Sequence, residues 1–269
     1  MNFTVVRKLA SAALVVLGAG LATSAQATWN FSSGCTQNAA NSGNYGNSYA
    51  CGGDASGVNA TATAWSTTRN AAGTVNNMSG GTNWTTANLA MYSGSGFGVR
   101  NQYETLGTGS PNHSMDSYNN TTDAVLLSFD SSVILSDVGI GWYNSDSDIT
   151  VMRWTGASAP TLTGAAADLD TVSGWELVGS YSDLHANGYT AAINPDDKAS
   201  SWWLISAYNN TYGGQSWSTN NDYVKLLSVS GVKCTYNCGP DQGVPEPASL
   251  ALVALALVAG QATRRRKQR

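Results

Sequence analysis

The chain has 269 residues, a formal net charge of −4 and only 11% charged residues, against roughly a quarter in an ordinary soluble domain. Gly (29), Asn, Ser and Thr fill the gap, and the aromatics are lopsided, with 12 Tyr and 9 Trp against 4 Phe. This excludes a helical protein, whose surfaces need Leu, Glu, Lys and Arg. A hydrophobic content of 42% excludes plain disorder. An exported β-protein fits.

Residues 1–27 read as a signal peptide. Arg7 and Lys8 form a positive n-region, Leu9 to Ala22 an apolar stretch, and Ala25-Gln26-Ala27 a small-x-small cleavage site. Cleavage is expected before Thr28. In an exported chain the four cysteines, Cys35, Cys51, Cys234 and Cys238, imply two disulfides. Three pairings are possible, and local pairing is favoured: Cys35 with Cys51 and Cys234 with Cys238. The Cys35–Cys51 interval is rich in Gly, Asn and Ser and has little core of its own, so a crosslink there contributes about 3 kcal/mol on the loop-entropy model. A zinc site competes poorly, because the spacings do not make paired Cys-x-x-Cys knuckles.

Residues 28–243 suit one large domain rather than two. Apolar residues recur with period two. Val58 to Ala64 alternates strictly, and Thr85 to Tyr92 sets Ala87, Leu89 and Met91 on one face. Ala124 to Asp130 puts Val125, Leu127 and Phe129 on one face and Ala124 and Leu126 on the other. Val133-Ile134-Leu135 leads on to Val138, Ile140 and Trp142. Further strands are expected at Ile149 to Trp154, Trp175 to Tyr181, Ser201 to Tyr208 and Tyr223 to Val229. Turn signals separate them: Asp130-Ser131-Ser132, Asn144-Ser145-Asp146, Asn187-Gly188, Asn194-Pro195-Asp196 and Gly213-Gly214. The only helical expectation in the body is a short turn at Asp168 to Thr171. The pattern predicts an all-β fold, a single antiparallel β-sandwich of jelly-roll type. A signal helix and a short transmembrane helix would flank it.

The C-terminus has three consecutive parts: Val244-Pro245-Glu246-Pro247, an apolar run from Ala248 to Gly260, and Arg264-Arg265-Arg266-Lys267-Gln268-Arg269. The run is short for a full span, but the basic cluster behind it is a stop-transfer, positive-inside signal. The body is then outside and Arg264, Arg265, Arg266, Lys267 and Arg269 lie in the cytoplasm. Pro245 and Pro247 keep the preceding segment extended, as a processing enzyme requires. The body together with the Val244–Pro247 segment holds six Lys and Arg and all 17 Asp and Glu, a net of −11. Such a body cannot neutralise phosphates, which excludes nucleic acid as a partner.

Catalytic patterns are weak. Glu104 and Glu176 are the only glutamates before Glu246, and no motif pairs two carboxyls as glycoside hydrolysis needs. His113 and His185 are the only histidines, and there is no Gly-x-Ser-x-Gly elbow. The Ser93–Gly98 run, SGSGFG, lacks the Lys of a phosphate loop and reads as a Gly-rich turn. Asp146 and Asp148, near Asn144, offer hard oxygen ligands suited to calcium, although solvated turn carboxylates explain them as well. Flat aromatic faces suit sugar rings, and Trp142, Trp203 and Trp217 are the candidate glycan contacts, with Tyr143, Trp202, Tyr208 and Tyr212 beside them. In the pair Trp202-Trp203 one ring must face inward. The chain is expected not to be an enzyme.

The order Pro-Glu-Pro, short apolar helix, Arg-rich end resembles the PEP-CTERM sorting signal of Gram-negative bacteria. That resemblance implies a substrate of an exosortase, transiently anchored in the inner membrane and then released to the surface or the medium, in a host that makes extracellular polysaccharide. Exopolysaccharide is thereby an expected partner. The stretches "NHSMDSYNNTTDAVLLSFDSSVILSDVGIGWYNSDSDITVMRW" and "SSWWLISAYNN…NDYVKLLSVSG" resemble exosortase-dependent surface proteins that share a β-rich exported domain. This implies fold and location and carries over no catalytic residue. A structural role in the envelope or matrix is expected. The alternatives are a lectin-like module and a secreted glycoside hydrolase.

Overall fold

Period-two alternation becomes strand throughout the body. The structure, a computed structural model, describes residues 26–54, 56–68, 83–104, 113–117, 121–184, 189–235 and 238. Both expected flanking helices lie outside them, as do His185 and the sorting segment. No helix among the described residues is long and apolar enough to cross a membrane. Of these residues 56% are in strands and 3% in helix. Short 3-10 turns stand at Ala39–Asn41 and Leu169–Thr171, the second at the one place where a helical turn is expected.

Fourteen strands join in one antiparallel sheet: β1 (Gln26–Asn30), β2 (Cys35–Gln37), β3 (Ser48–Gly52), β4 (Asn59–Thr67), β5 (Trp84–Thr86), β6 (Asn88–Tyr92), β7 (Gly96–Arg100), β8 (Met115–Asp116), β9 (Asp123–Ser145), β10 (Ile149–Trp154), β11 (Trp175–Tyr181), β12 (Tyr189–Ala192), β13 (Ala199–Ala207) and β14 (Asp222–Lys233). The frame is β9, 23 residues long. Its first part, Asp123 to Phe129, runs between β4 and β13, while Val133 to Ser145 pairs with β14 and, at Asp137 to Ile140, with β12. One strand thus belongs to two halves of the sheet. Their inner faces meet in a shared core: Trp29 of β1 packs edge-on against Phe129 at 4.8 Å, and Tyr49 of β3 lies 5.1 Å from Phe97 of β7. The sheet is therefore sandwich-like.

The expected turn at Asp130-Ser131-Ser132 lies inside β9 as an unpaired step: β4 pairs no further than Phe129, pairing with β14 begins at Val133, and only β13 spans the interval, passing from Ser128 at Trp202 to Val133 at Ser200. Parity explains the core. Val125, Leu127, Phe129, Val133 and Leu135 face inward with period two. Across from Ser230 and Gly231 the partners jump from Asp137 to Leu135, so Ser136 is the extra residue of a β-bulge. After it Val138 and Ile140 face inward again. A second shift, between Lys225 and Leu226, leaves Gly141 without a direct partner. A Cβ on Gly141 would lie 2.4 Å from the Ser95 carbonyl oxygen, so this bulge demands glycine. Its consequence is that Trp142 leaves the core face that Val138 and Ile140 share. Instead Trp142 pairs with Lys225, whose Nζ stands 4.4 Å above its ring and 4.2 Å from that of Tyr92.

Two other expectations are corrected. The stretch from Thr85 to Tyr92 is two strands, broken at Ala87, where the backbone N–H turns to the Ala64 carbonyl. Ser93–Gly98 is not all turn: Gly96 and Phe97 already belong to β7, and Phe97 is fully buried. Gly96 has φ +92° and sits against the Leu226 carbonyl, where a Cβ has no room. The outer face of the β9–β13–β10 half is covered by a second core, in which Leu162 and Leu169, from the loop between β10 and β11, lie on Leu126, Met152 and Leu204.

Both disulfides join the locally adjacent cysteines. Cys35 and Cys51 sit opposite each other on β2 and β3 with Cα atoms 4.2 Å apart, and Cys234 is bonded to Cys238. The described residues contain no free cysteine. Gln26 and Ala27 pair with Val232 and Gly231 in β1, ahead of the expected mature start at Thr28. The packing sets an expectation for the tryptophans. Trp203→Ala, which empties a fully buried site, should cost about 3–5 kcal/mol in urea unfolding. Trp142→Ala, on the outward face, should cost about 1 kcal/mol or less.

Candidate functional site

The C-terminal end of β9 and the start of β14 bring three carboxylates together. Ser145 takes a left-handed conformation, φ +64°, which ends the strand and presents Asp146. The Asp146 N–H then donates to the Asn221 carbonyl, and the Tyr223 N–H donates to that of Asp146. Two residues on, Asp148 stands just before β10, and its N–H donates to Asp222 Oδ1 at 3.1 Å. Oxygens of Asp146, Asp148 and Asp222 all lie within 4.8 Å of one another. Asp148 and Asp222 are buried and Asp146 is half-buried.

Neutral donors surround them. Ser117 Oγ donates to Asp222 Oδ2 at 2.8 Å, the Asp183 N–H to Asp148 Oδ1 at 2.7 Å, and Asn221 Nδ2 to Asp146 Oδ2 at 2.8 Å. None of these partners is cationic. Burial, with the charges of Asp146 and Asp183 added, pushes the Asp148 carboxyl up to about 6 against the opposing Asp183 N–H. Burial likewise raises Asp222 to about 7, with Asp148 and Asp146 adding to the shift and Ser117 opposing it. Beside them the Asn221 amide oxygen is buried without a hydrogen-bond partner. Three acidic oxygens and an orphaned amide oxygen form a donor set suited to a hard divalent cation.

A second acidic cluster holds Glu104, Asp116 and Asp123. Asp123 begins β9 fully buried, and burial, followed by the charges of Asp116 and Glu104, raises its carboxyl well above the usual range. Asn101 Nδ2 donates to both of its oxygens. Asp116 lies on β8, one residue from the Ser117 that bonds Asp222, so the two clusters flank one seam between β8 and β14.

Asp146 and Asp148, the residues expected to bind calcium, do come together. Asp222 and the whole second cluster are not apparent in the sequence. A signal exists only in hindsight: Asp222 opens the strand that pairs with Ser145, so knowledge of that register would have placed it. Glu104 and Glu176 do not share a site. Glu104 belongs to the second cluster, whereas Glu176 accepts from Arg153 Nε at 2.9 Å and contacts Lys198 Nζ at 2.9 Å. Burial pushes the Glu176 carboxyl up, but the bonds and charges of Lys198 and Arg153 outweigh it and hold the group below the usual range.

The aromatic candidates divide. Trp203 is a correction: it is fully buried between β9 and β10, its Nε1–H given to the Ser200 carbonyl, because β13 turns it into the shared core. Tyr208 and Tyr212 are buried as well. Trp142 is half-covered by Lys225, and Trp217 is half-buried against Tyr208 at 5.1 Å. No plane of exposed rings joins these residues. Trp202 is the partner that faces outward.

No curated protein matches the chain. Residues 243–267 match the PEP-CTERM protein-sorting motif, so the chain carries at its C-terminus the signal by which an exosortase processes exported proteins.

Proposed function

We propose that the chain is a non-enzymatic structural protein of the cell surface or the extracellular polysaccharide matrix, its body a jelly-roll-like sandwich delivered by exosortase processing. The sorting motif at 243–267 carries this reading, and the double-core, disulfide-closed body supports it. The signal peptide at 1–27 takes the chain across the inner membrane. The apolar run and the basic cluster hold it there until the Pro245-Glu246-Pro247 region is cut. Asp148 and Asp222 are buried beneath neutral donors and Glu176 is neutralised by two cations, which favours architecture over turnover. Exopolysaccharide is the partner this reading implies.

Calcium at Asp146, Asp148 and Asp222 is a second component, motivated by the orphaned Asn221 amide oxygen. The ion would offset three like charges to which no Lys or Arg among the described residues is bonded.

Processing is tested by mass spectrometry of the exported form. The mature chain should start near Thr28 and lack Arg264 to Arg269. Retention of that basic cluster on exported protein would leave an ordinary membrane anchor and defeat the sorting step.

Calcium is tested by thermal unfolding. In chelator, Asp148 and Asp222 bind protons more readily folded than unfolded, so their contribution to stability is greatest below the ordinary carboxylate range. It falls as pH rises from the ordinary carboxylate range through about 6 to 7. Calcium at a hundredfold excess over its dissociation constant should restore about 2.7 kcal/mol, a rise of roughly 5–10 °C in Tm for a body of this size. The rise should be large at pH 8, small at pH 5 and absent in Asp222→Asn. An equal Tm with and without calcium at pH 8 would remove calcium from the account.

A further inference from the structure

A cavity of about 370 Å³ opens where the bend of β9 meets the ends of β10 and β13, away from both acidic clusters. Trp154, Trp202, Ser132, Thr155, Ser200 and Ser201 line it, and the Cys234–Cys238 disulfide borders it. Its volume falls within the range of small-molecule sites, about 300–1,000 Å³. Two properties of the lining limit what it can hold.

The first is charge. None of the lining residues is ionisable in its present bonding. Of the cations nearby, Arg153 is committed to Glu176 and to the Ala199 carbonyl, and Lys233, which pairs with Val133, is exposed and is not part of the lining. The body with its sorting motif has a net charge of −11, which repels acidic polymers. A bound molecule is therefore neutral.

The second is the pattern of used and unused polar groups. Trp154 Nε1–H is given to the Ser158 carbonyl, Thr155 Oγ1 to that of Gly174, and Ser200 Oγ accepts from the Trp202 backbone N–H. These bonds fix the walls. Ser132 Oγ, by contrast, is buried with no partner, and a buried hydroxyl left unpaired is unfavourable. Among the described residues the Ser201 hydroxyl and the Trp202 indole N–H have no partner either. Trp154 is flanked closely by Gly156 and Gly174 and is held against Trp175. Trp202 packs in part against the second core but is half-exposed and has no such ring neighbour, so its indole offers the cavity a stacking surface. An unused aromatic face beside three unused hydrogen-bonding groups, with no charge, matches a pyranose: an apolar C–H face edged by hydroxyls that both donate and accept.

We propose that this cavity binds a neutral glycan, with one pyranose ring stacked on Trp202 and its hydroxyls bonded to Ser132 Oγ, Ser201 Oγ and Trp202 Nε1–H. The proposal rests on the surface-and-matrix reading above and gives it a polymer class and a site that differs from Trp142, Trp203 and Trp217.

The test uses the full-length chain in a zwitterionic detergent, since glycoside detergents would compete. Titration calorimetry is run with cellotetraose, laminaritetraose, chitotetraose and, as the charged comparison, tetragalacturonate. At least one neutral probe should bind saturably at millimolar concentration or below, and tetragalacturonate should not. Trp202→Ala should weaken binding about tenfold or more, and Ser201→Leu, which fills the opening from a half-exposed position, should abolish it at unchanged Tm. Trp217→Ala and Trp142→Ala should leave it unchanged. Absence of binding by all three neutral probes, preference for tetragalacturonate, or binding indifferent to both Trp202→Ala and Ser201→Leu would each overturn the proposal. A chain that is processed normally yet binds no probe overturns the glycan site and leaves the sorting reading standing. A chain that binds but keeps its tail does the reverse.

Discussion

The continuity of β9 is the constraint on which the rest of the body depends. A 23-residue strand is several times the usual length, and it persists only because different partners take over its hydrogen bonds as it bends. β4 and β13 hold the first part, and β14 and β12 the second. Because one backbone enters both halves, the inner faces of those halves are brought into register by covalent structure rather than by loop docking. Each candidate site is also tied to it: Asp123 at its start, Ser132 at its bend and Asp146 just past its end.

Scarcity of cations shapes the electrostatics. Among the described residues four of the five basic groups already have assignments, and the fifth, Lys233, is exposed at the far end of β14 from Asp222. Arg153 and Lys198 share Glu176, Lys225 lies over Trp142 and Tyr92, and Arg100 lies over Tyr45. No described basic group is bonded to Asp146, Asp148 or Asp222, so protons or external cations must offset that cluster. A body of this kind carries its stability in apolar burial and crosslinks, while its clusters remain responsive to the medium. That combination suits a protein sorted to the outside of a cell, where the divalent cations of the medium are at hand.

Much of the strand layout was legible because period-two alternation is a local property. β10 and β11 begin and end where the pattern places them. The disulfide pairing was favoured by the poverty of core between Cys35 and Cys51. What escaped was everything set by pairing between distant strands. The Gly141 bulge turns Trp142 outward, although the residue continues the series Val138, Ile140 in sequence. The Trp202-Trp203 pair was bound to split, but which ring faces the core depends on the register of β13 against β9 and β10. Asp222 lies 74 residues from Asp148, and no local pattern links them. Short strands such as β2 and β8 were missed because three or two residues show no period.

Native-state hydrogen exchange on the exported body tests the central role of β9 most directly. Amides of Val125 to Phe129 and of Val133 to Ile140 should exchange slowest, with a common opening free energy equal to that of global unfolding. Measurably different opening energies for the two segments would mean that the halves fold as separate units, and would contradict the account of one body built on one strand.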